Sequence, residues 1–177
     1  MSEPTPSRIL RGPAVLAAPL VRELLGMRLV GVLATLGPDG AVHAVPLWLA
    51  PLADSIVLAT GSQSRKVRNL ARDPRATLVL HDSRPGLEVC GASIHGRVEI
   101  VRGDDAVPLI REVHRRYVGA APERVPGVAA FLGSDDVALR LLPESATTWD
   151  ERGSDAARAL RDSGLALPLE PTAPREP

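Results

Sequence analysis

The segment Thr60-Gly61-Ser62-Gln63-Ser64-Arg65-Lys66-Val67-Arg68-Asn69-Leu70 concentrates groups able to bind an anion. Ser62 and Ser64 offer hydroxyls. Lys66 offers a mobile point charge, Arg65 and Arg68 offer forked donors, and Asn69 can donate from the next turn. The segment reads as a strand end at Thr60, a small-residue turn and the first turns of a helix. Such a junction aims free backbone N–H groups at one spot, which suits a phosphate group. Lys66 is the single lysine among 21 basic residues, so this position departs from the chain's own preference for arginine. The same residues would also build a capped surface helix with solvated cations, because a serine ahead of a helix can cap it.

A second candidate is Val45-Pro46-Leu47-Trp48. Proline inside a strand marks an edge or a bulge, where backbone groups can face a ligand instead of a neighbouring strand. A flat heteroaromatic ring could lie there. Read from the sequence alone, Trp48 is more simply a core residue of an aromatic-poor chain. His43, His81, His95 and His114 are scattered without ligand spacing, and Cys90 has no cysteine partner, so no metal site is expected. Asp104-Asp105 and Asp135-Asp136 stand at predicted element starts and read as caps. Arg115-Arg116 reads as the wet face of a helix, and Cys90 as a small buried hydrophobe.

The elements that must position these groups follow from periodicity. Ala14 to Met27 has a helical apolar spacing at Leu16, Leu20, Leu24 and Met27. Arg28 to Leu36 and Ala41 to Leu49 are strands joined by the Gly37-Pro38-Asp39-Gly40 turn, a hairpin. Ser55 to Thr60 is a third strand, Ser64 to Arg72 a short helix ended by Asp73-Pro74, and Arg75 to His81 a fourth strand. Leu87 to Val101 is a long strand in which Gly91 and Gly96 suggest a bulge or bend. A helix starting at Gly103-Asp104-Asp105 carries an apolar stripe from Ala106 to Tyr117. Val125 to Gly133 is irregular or helical. Val137 to Leu142 is the sixth strand, which Glu144 to Trp149 can continue past Pro143. Hairpins with short intervening helices predict a mainly β fold, an antiparallel barrel with peripheral α-helices. Residues 1–13 read as a flexible arm, 14–150 as the domain, and 151–177 as a Pro-rich mobile tail with room for one short helix.

Composition narrows the function. The 177 residues suit one domain, and aromatics are only 2%, so Val, Leu, Ile and Ala must build the core. The formal charge is zero, which argues against nucleic-acid and membrane-surface binding. A single cysteine, no basic-then-apolar leader and no long apolar run predict a cytoplasmic protein.

Together these residues resemble the pyridoxamine 5′-phosphate oxidase-like, FMN-binding split-barrel superfamily, and within it the coenzyme F420-dependent (flavin/deazaflavin oxidoreductase) branch. The resemblance is carried by Gly31 to Leu36 with the Pro38-Asp39-Gly40 turn, Val45 to Trp48, Ser64 to Ala76, Gly96 to Ile100 and Ala146 to Asp150. The stretch from Lys66 to Asp73-Pro74 is its most specific part. It implies a six-stranded antiparallel split β-barrel, Greek-key-like, with short flanking helices. It also implies a homodimer with cofactor sites at the subunit interface. Carried onto this chain, Lys66, Ser64, Asn69 and Ser62 would hold phosphate, with Thr60 and Arg65 in the same segment, while Val45, Pro46 and Trp48 would border the ring. The Lys-x-x-Asn-Leu-x-x-Asp-Pro form resembles the F420 branch more than the FMN oxidases, whose first strands carry more arginine; here they offer only Arg28. An arginine-heavy composition also suits an actinobacterial source, where that coenzyme is common. The implied activity is hydride transfer between reduced coenzyme F420 and a small electron-poor organic substrate. An FMN-dependent oxidase or reductase, or a non-catalytic flavin or deazaflavin carrier or sensor, are the alternatives. No catalytic residue is assigned; Tyr117 and His43 are candidates for supplying a proton.

Overall fold

The structure, a computed structural model, describes residues 8–84, 88–119 and 135–165, with Ala121, Arg124, Pro126 and Ala129 between them. Its strands are β1 (Arg8–Arg11), β2 (Gly31–Leu36), β3 (Val42–Leu47), β4 (Leu49–Pro51), β5 (Ile56–Gly61), β6 (Arg75–Arg84), β7 (Glu88–Val101) and β8 (Asp136–Asp150). The helices are α1 (Ala14–Ala17), α2 (Pro19–Gly26), α3 (Arg65–Arg72), α4 (Ala106–Val118) and α5 (Asp155–Ser163). All eight strands form one antiparallel sheet in the order β3-β2-β6-β7-β8-β5-β4, with β1 added to β8.

The sheet's two end strands, β3 and β4, are consecutive in the chain, with only Trp48 between them. A sheet whose ends are joined by one residue must curl until those ends meet. The seam carries no strand pairing, so the curl is an open half-barrel, a split barrel. Proline explains part of the split. Pro46 in β3 and Pro51 in β4 lack the N–H that a continuing ladder needs, and both fall on end strands.

The hairpin forms as expected. The Gly37 N–H donates to the Ala41 carbonyl at 2.8 Å and the Gly40 N–H to the Gly37 carbonyl at 3.1 Å. Gly40 takes a positive φ of 79°, which a side chain would resist. Inside the curl, alternate residues of each strand point inward. Leu33, Leu49, Ile56, Leu58, Leu78, Leu80, Ile94, Leu139 and Leu141 are fully buried there, with Val15, Val21 and Leu24 from the first helices. A second cluster lies beneath α4, where Ala50, Val57, Ala106, Val113 and Ala138 pack with Trp48, Leu109 and Tyr117.

Several expectations change. Among the described residues eight strands stand where six were expected. One addition is β4, split from β3 at Trp48. The other is β1, which takes Arg8–Arg11 out of the expected arm and pairs Ile9 with Thr147. The expected single helix over 14–27 is two, because Pro19 drives Ala18 into extended backbone with ψ of 133°. Glu144 is the unmatched residue of a bulge opposite His95-Gly96, which lets β8 run through Pro143 as one strand. The expected cap at Asp104 makes no side-chain capping bond; a 3-10 turn over Gly103–Asp105 leads into α4 instead. Arg116 is no wet-face residue. Its guanidinium donates to the Leu25 and Met27 carbonyls, closing the end of α2. The tail's short helix is α5, capped by Ser154 and seated on buried Ala157. Most of Val125 to Gly133, and residues 166–177, lie outside the described residues.

Candidate cofactor and substrate site

The end of β3, the end of β5, the start of β8 and one face of α4 converge on a cavity of about 410 Å³. Pro46, Leu47 and Trp48 form one wall; Ala59, Thr60 and Gly61 form another; His114 and Asp136 close it, with Val30 at the rim. Trp48 is held in place by Tyr117, whose ring stacks on it at 5.0 Å and 4° from parallel. His114 meets Trp48 edge-on, with centroids 6.2 Å apart and planes at 82°. Aromatic side chains are scarce in this chain, and two of its four rings are fixed at this one wall.

Gly61 leaves the cavity and starts the turn into α3. The Ser64 N–H donates to the Gly61 carbonyl at 3.1 Å, and the Ser64 carbonyl accepts from the Arg68 N–H at 3.2 Å. Ser64 stands at the N-cap position but its hydroxyl caps nothing. That Oγ is buried and has no hydrogen-bond partner among the described residues. Native structures seldom leave a buried hydroxyl unpaired without a reason, and a ligand oxygen supplies one. Lys66 follows on the first turn. It is part-buried, and among the described residues it makes no hydrogen bond or ion pair. Loss of solvent pushes its ammonium below the ordinary lysine value, while the negative Asp136 nearby opposes that shift. A part-desolvated cation beside an orphan hydroxyl at a helix start is a fitting receptor for a phosphate.

The remaining sequence candidates separate. Pro46, Trp48 and Thr60 line the cavity. Val45 is one residue away from the lining and pairs with Leu33 across the hairpin. Arg65 is exposed beside the turn. Ser62 is buried, and its hydroxyl donates to the Asp135 carboxylate while its N–H donates to the Asp135 carbonyl at 2.8 Å, so this serine braces β8. Asn69 is also turned inward: its amide donates to the Thr35 hydroxyl at 3.1 Å, which in turn donates to the His43 carbonyl. In the Lys66 to Pro74 stretch, then, Lys66 faces outward chemistry while Asn69, buried Leu70 and Asp73 build the scaffold. Asp73 accepts from the Arg75 backbone N–H and guanidinium, and these bonds hold its carboxyl down at about 2.

Sequence reasoning missed His114, Asp136 and Val30 as site residues. Their elements are far apart in the chain, and an isolated histidine on a helix carries no local signal. Among the described residues no group of three metal-binding side chains gathers anywhere. No helix of the described residues is long and apolar enough to cross a membrane.

A curled antiparallel half-barrel with a cavity at its seam defines the flavin-binding split-barrel class. Residues 17–150 match the family pattern of pyridoxamine 5′-phosphate oxidase, and the chain belongs to that family. A conserved hypothetical protein from Mycobacterium tuberculosis superposes with a TM-score of 0.65 at 28% identity, over 96% of this chain and 99% of that one. An F420 reductase superposes with a TM-score of 0.56 at 25% identity, over 71% of this chain and 94% of its own. An FAD-binding protein from Mesorhizobium loti shares the fold at 20% identity, with a TM-score of 0.56 over 81% of this chain and 99% of its own. No curated protein matches the chain.

Proposed function

We propose that this chain is an F420-dependent oxidoreductase that reduces small electron-poor organic molecules. The observation that carries the reading is the pairing of Lys66 with the unpartnered Ser64 hydroxyl at the start of α3, one turn from a cavity walled by Pro46 and Trp48. Lys66 and Ser64 would hold the coenzyme phosphate. The Pro46–Trp48 wall would set the face of the ring, and the apolar lining would keep water from it. When bound, the deazaflavin supplies the hydride; the protein binds, orients and shields. The F420 reductase relative supports the choice of coenzyme, as does the absence of arginine and lysine from β2 and β3, where an FMN phosphate would need them.

The reading includes a cytoplasmic homodimer with the coenzyme at the subunit interface. An apolar strip on the outer sheet face supports it: Val32 and Val42 stay exposed beside exposed Ala44 and Pro46. The domain is read as 14–150, with β1 and α5 as additions at its two ends. The purified protein mixed separately with F420 and with FMN tests the coenzyme. Tight retention and a fluorescence change with F420 support the proposal; retention of FMN alone replaces the coenzyme, and retention of neither removes the reading. Turnover of cyclic enones and quinones then separates an enzyme from a carrier.

A further inference from the structure

The cavity wall is chemically sparse. Val30, Pro46, Leu47, Ala59 and Gly61 offer no polar side-chain group, Trp48 offers only its indole N–H and Thr60 only a hydroxyl. The lining side chains with an ionisable group are His114 and Asp136, and the imidazole is the one whose ordinary range lies near neutral pH. His114 is 6% exposed and meets Trp48 edge-on. The sequence's own proton-donor candidates do not reach the cavity. Tyr117 already donates its hydroxyl proton to the Leu29 carbonyl at 2.6 Å and accepts from the Leu49 N–H at 3.3 Å. His43 lies on β3 opposite Thr35, away from the lining residues.

We propose that His114 is the acid that gives a proton to the substrate in this cavity. This assignment rests on the reading of the site as a reductase. The step balances as follows. When bound, the reduced deazaflavin would supply the hydride that the β-carbon of an enone accepts, and the π electrons of the double bond would move toward the carbonyl. The His114 imidazolium then gives its N–H proton to the α-carbon and becomes neutral, and solvent restores that proton. Substrate gains one hydride and one proton, and the deazaflavin is oxidised by two electrons. The substrate class follows: a conjugated carbonyl or quinone, flat enough to stack on the ring beside His114 and in need of a proton at the atom next to its acceptor.

The charges around His114 suit the role. Asp136 lines the same cavity from β8, the lining residues of β3 and β5 carry no charge, and Tyr117 on α4 is locked in its two hydrogen bonds. Burial pushes the imidazole below the ordinary histidine value, and Asp136 opposes that shift. The lowered value makes the imidazolium a stronger acid and also a scarcer one near neutral pH, so the rate should rise toward acidic pH.

The test combines imidazole NMR with a variant. In the wild-type protein loaded with oxidised F420, 2-cyclohexenone should shift the His114 ring signals and leave those of His43, His81 and His95 unmoved. His114→Gln should lower enone reduction by roughly 100-fold, the scale of a lost general acid. It should also flatten the rise of the rate toward acidic pH, while F420 affinity changes less than about twofold. Unmoved His114 signals, or a variant with the wild-type rate and pH profile, overturn the assignment and leave the coenzyme reading standing. Should His114→Gln fail to fold, the wild-type NMR result decides. A wild-type chain that binds no F420 overturns both.

Discussion

Trp48 lies flat on Tyr117, with ring centroids 5.0 Å apart and planes 4° from parallel. Trp48 is the single residue joining the two end strands of the sheet, so the stack ties the barrel's seam to α4. The Tyr117 hydroxyl extends the tie on both sides, to the Leu29 carbonyl before β2 and the Leu49 N–H in β4. Tyr117→Phe keeps the stack and loses both hydrogen bonds. It should lower the unfolding free energy by about 1–3 kcal/mol, because two part-buried backbone groups lose their partner. Urea unfolding followed by tryptophan fluorescence measures this; unchanged stability would show that water replaces the phenol at no cost.

Ser64 gives a prediction with the opposite sign from most N-cap serines. Replacing a capping serine by alanine costs about 0.5–2 kcal/mol. Here the hydroxyl is buried and unpaired, so Ser64→Ala should hold or raise stability, by up to about 1–3 kcal/mol. F420 affinity should fall by about 0.5–1.5 kcal/mol, a loss of roughly twofold to tenfold. Thermal unfolding beside a fluorescence titration reads both effects. A destabilised variant with full affinity would assign the hydroxyl to helix capping.

The sheet bulge makes a separate prediction. A Cβ on Gly96 would stand 2.1 Å from the Leu142 carbonyl oxygen, a backbone atom fixed by its own strand. Gly96→Ala should destabilise by about 1–3 kcal/mol or more, through overpacking at the bulge. The midpoint of chemical unfolding measures it.

Stability should also depend on pH through His114. Its folded value lies below the ordinary 6.5, chiefly from burial. Between the two values the unfolded chain binds more protons, so stability rises with pH across that interval. Acidification below about 6.5 should therefore weaken the protein, with the loss complete once the pH falls below the folded value. Denaturant midpoints at a series of pH values should show this slope in wild type and a smaller one in His114→Gln.

The sequence was most informative where local chemistry forces local structure. Gly37-Pro38-Asp39-Gly40 specified its turn, and the period-two strands specified a curled antiparallel sheet. The run from Lys66 to Pro74 specified a short helix between strands. Three features were harder to read. Pro19 carries a plain helix-breaking signal that the apolar spacing of 14–27 masked. The strand Arg8–Arg11 is polar at both ends and exists because β8 offers it an edge, which no local pattern reveals. Ser62 and Asn69 look like anion ligands by type, yet each is turned toward a partner from a distant element, Asp135 and Thr35. The cavity wall needed the third dimension, since His114 and Asp136 meet Trp48 and Thr60 only after the sheet has curled.

The most direct measurement is equilibrium binding of F420 to wild type and to Lys66→Ala, followed by coenzyme fluorescence. Removing a charge-assisted contact costs about 1.5–3 kcal/mol, so affinity should fall roughly tenfold to 150-fold while the unfolding transition stays sharp. Equal affinity in the two proteins would contradict the account, because the anion would then be held somewhere other than the start of α3.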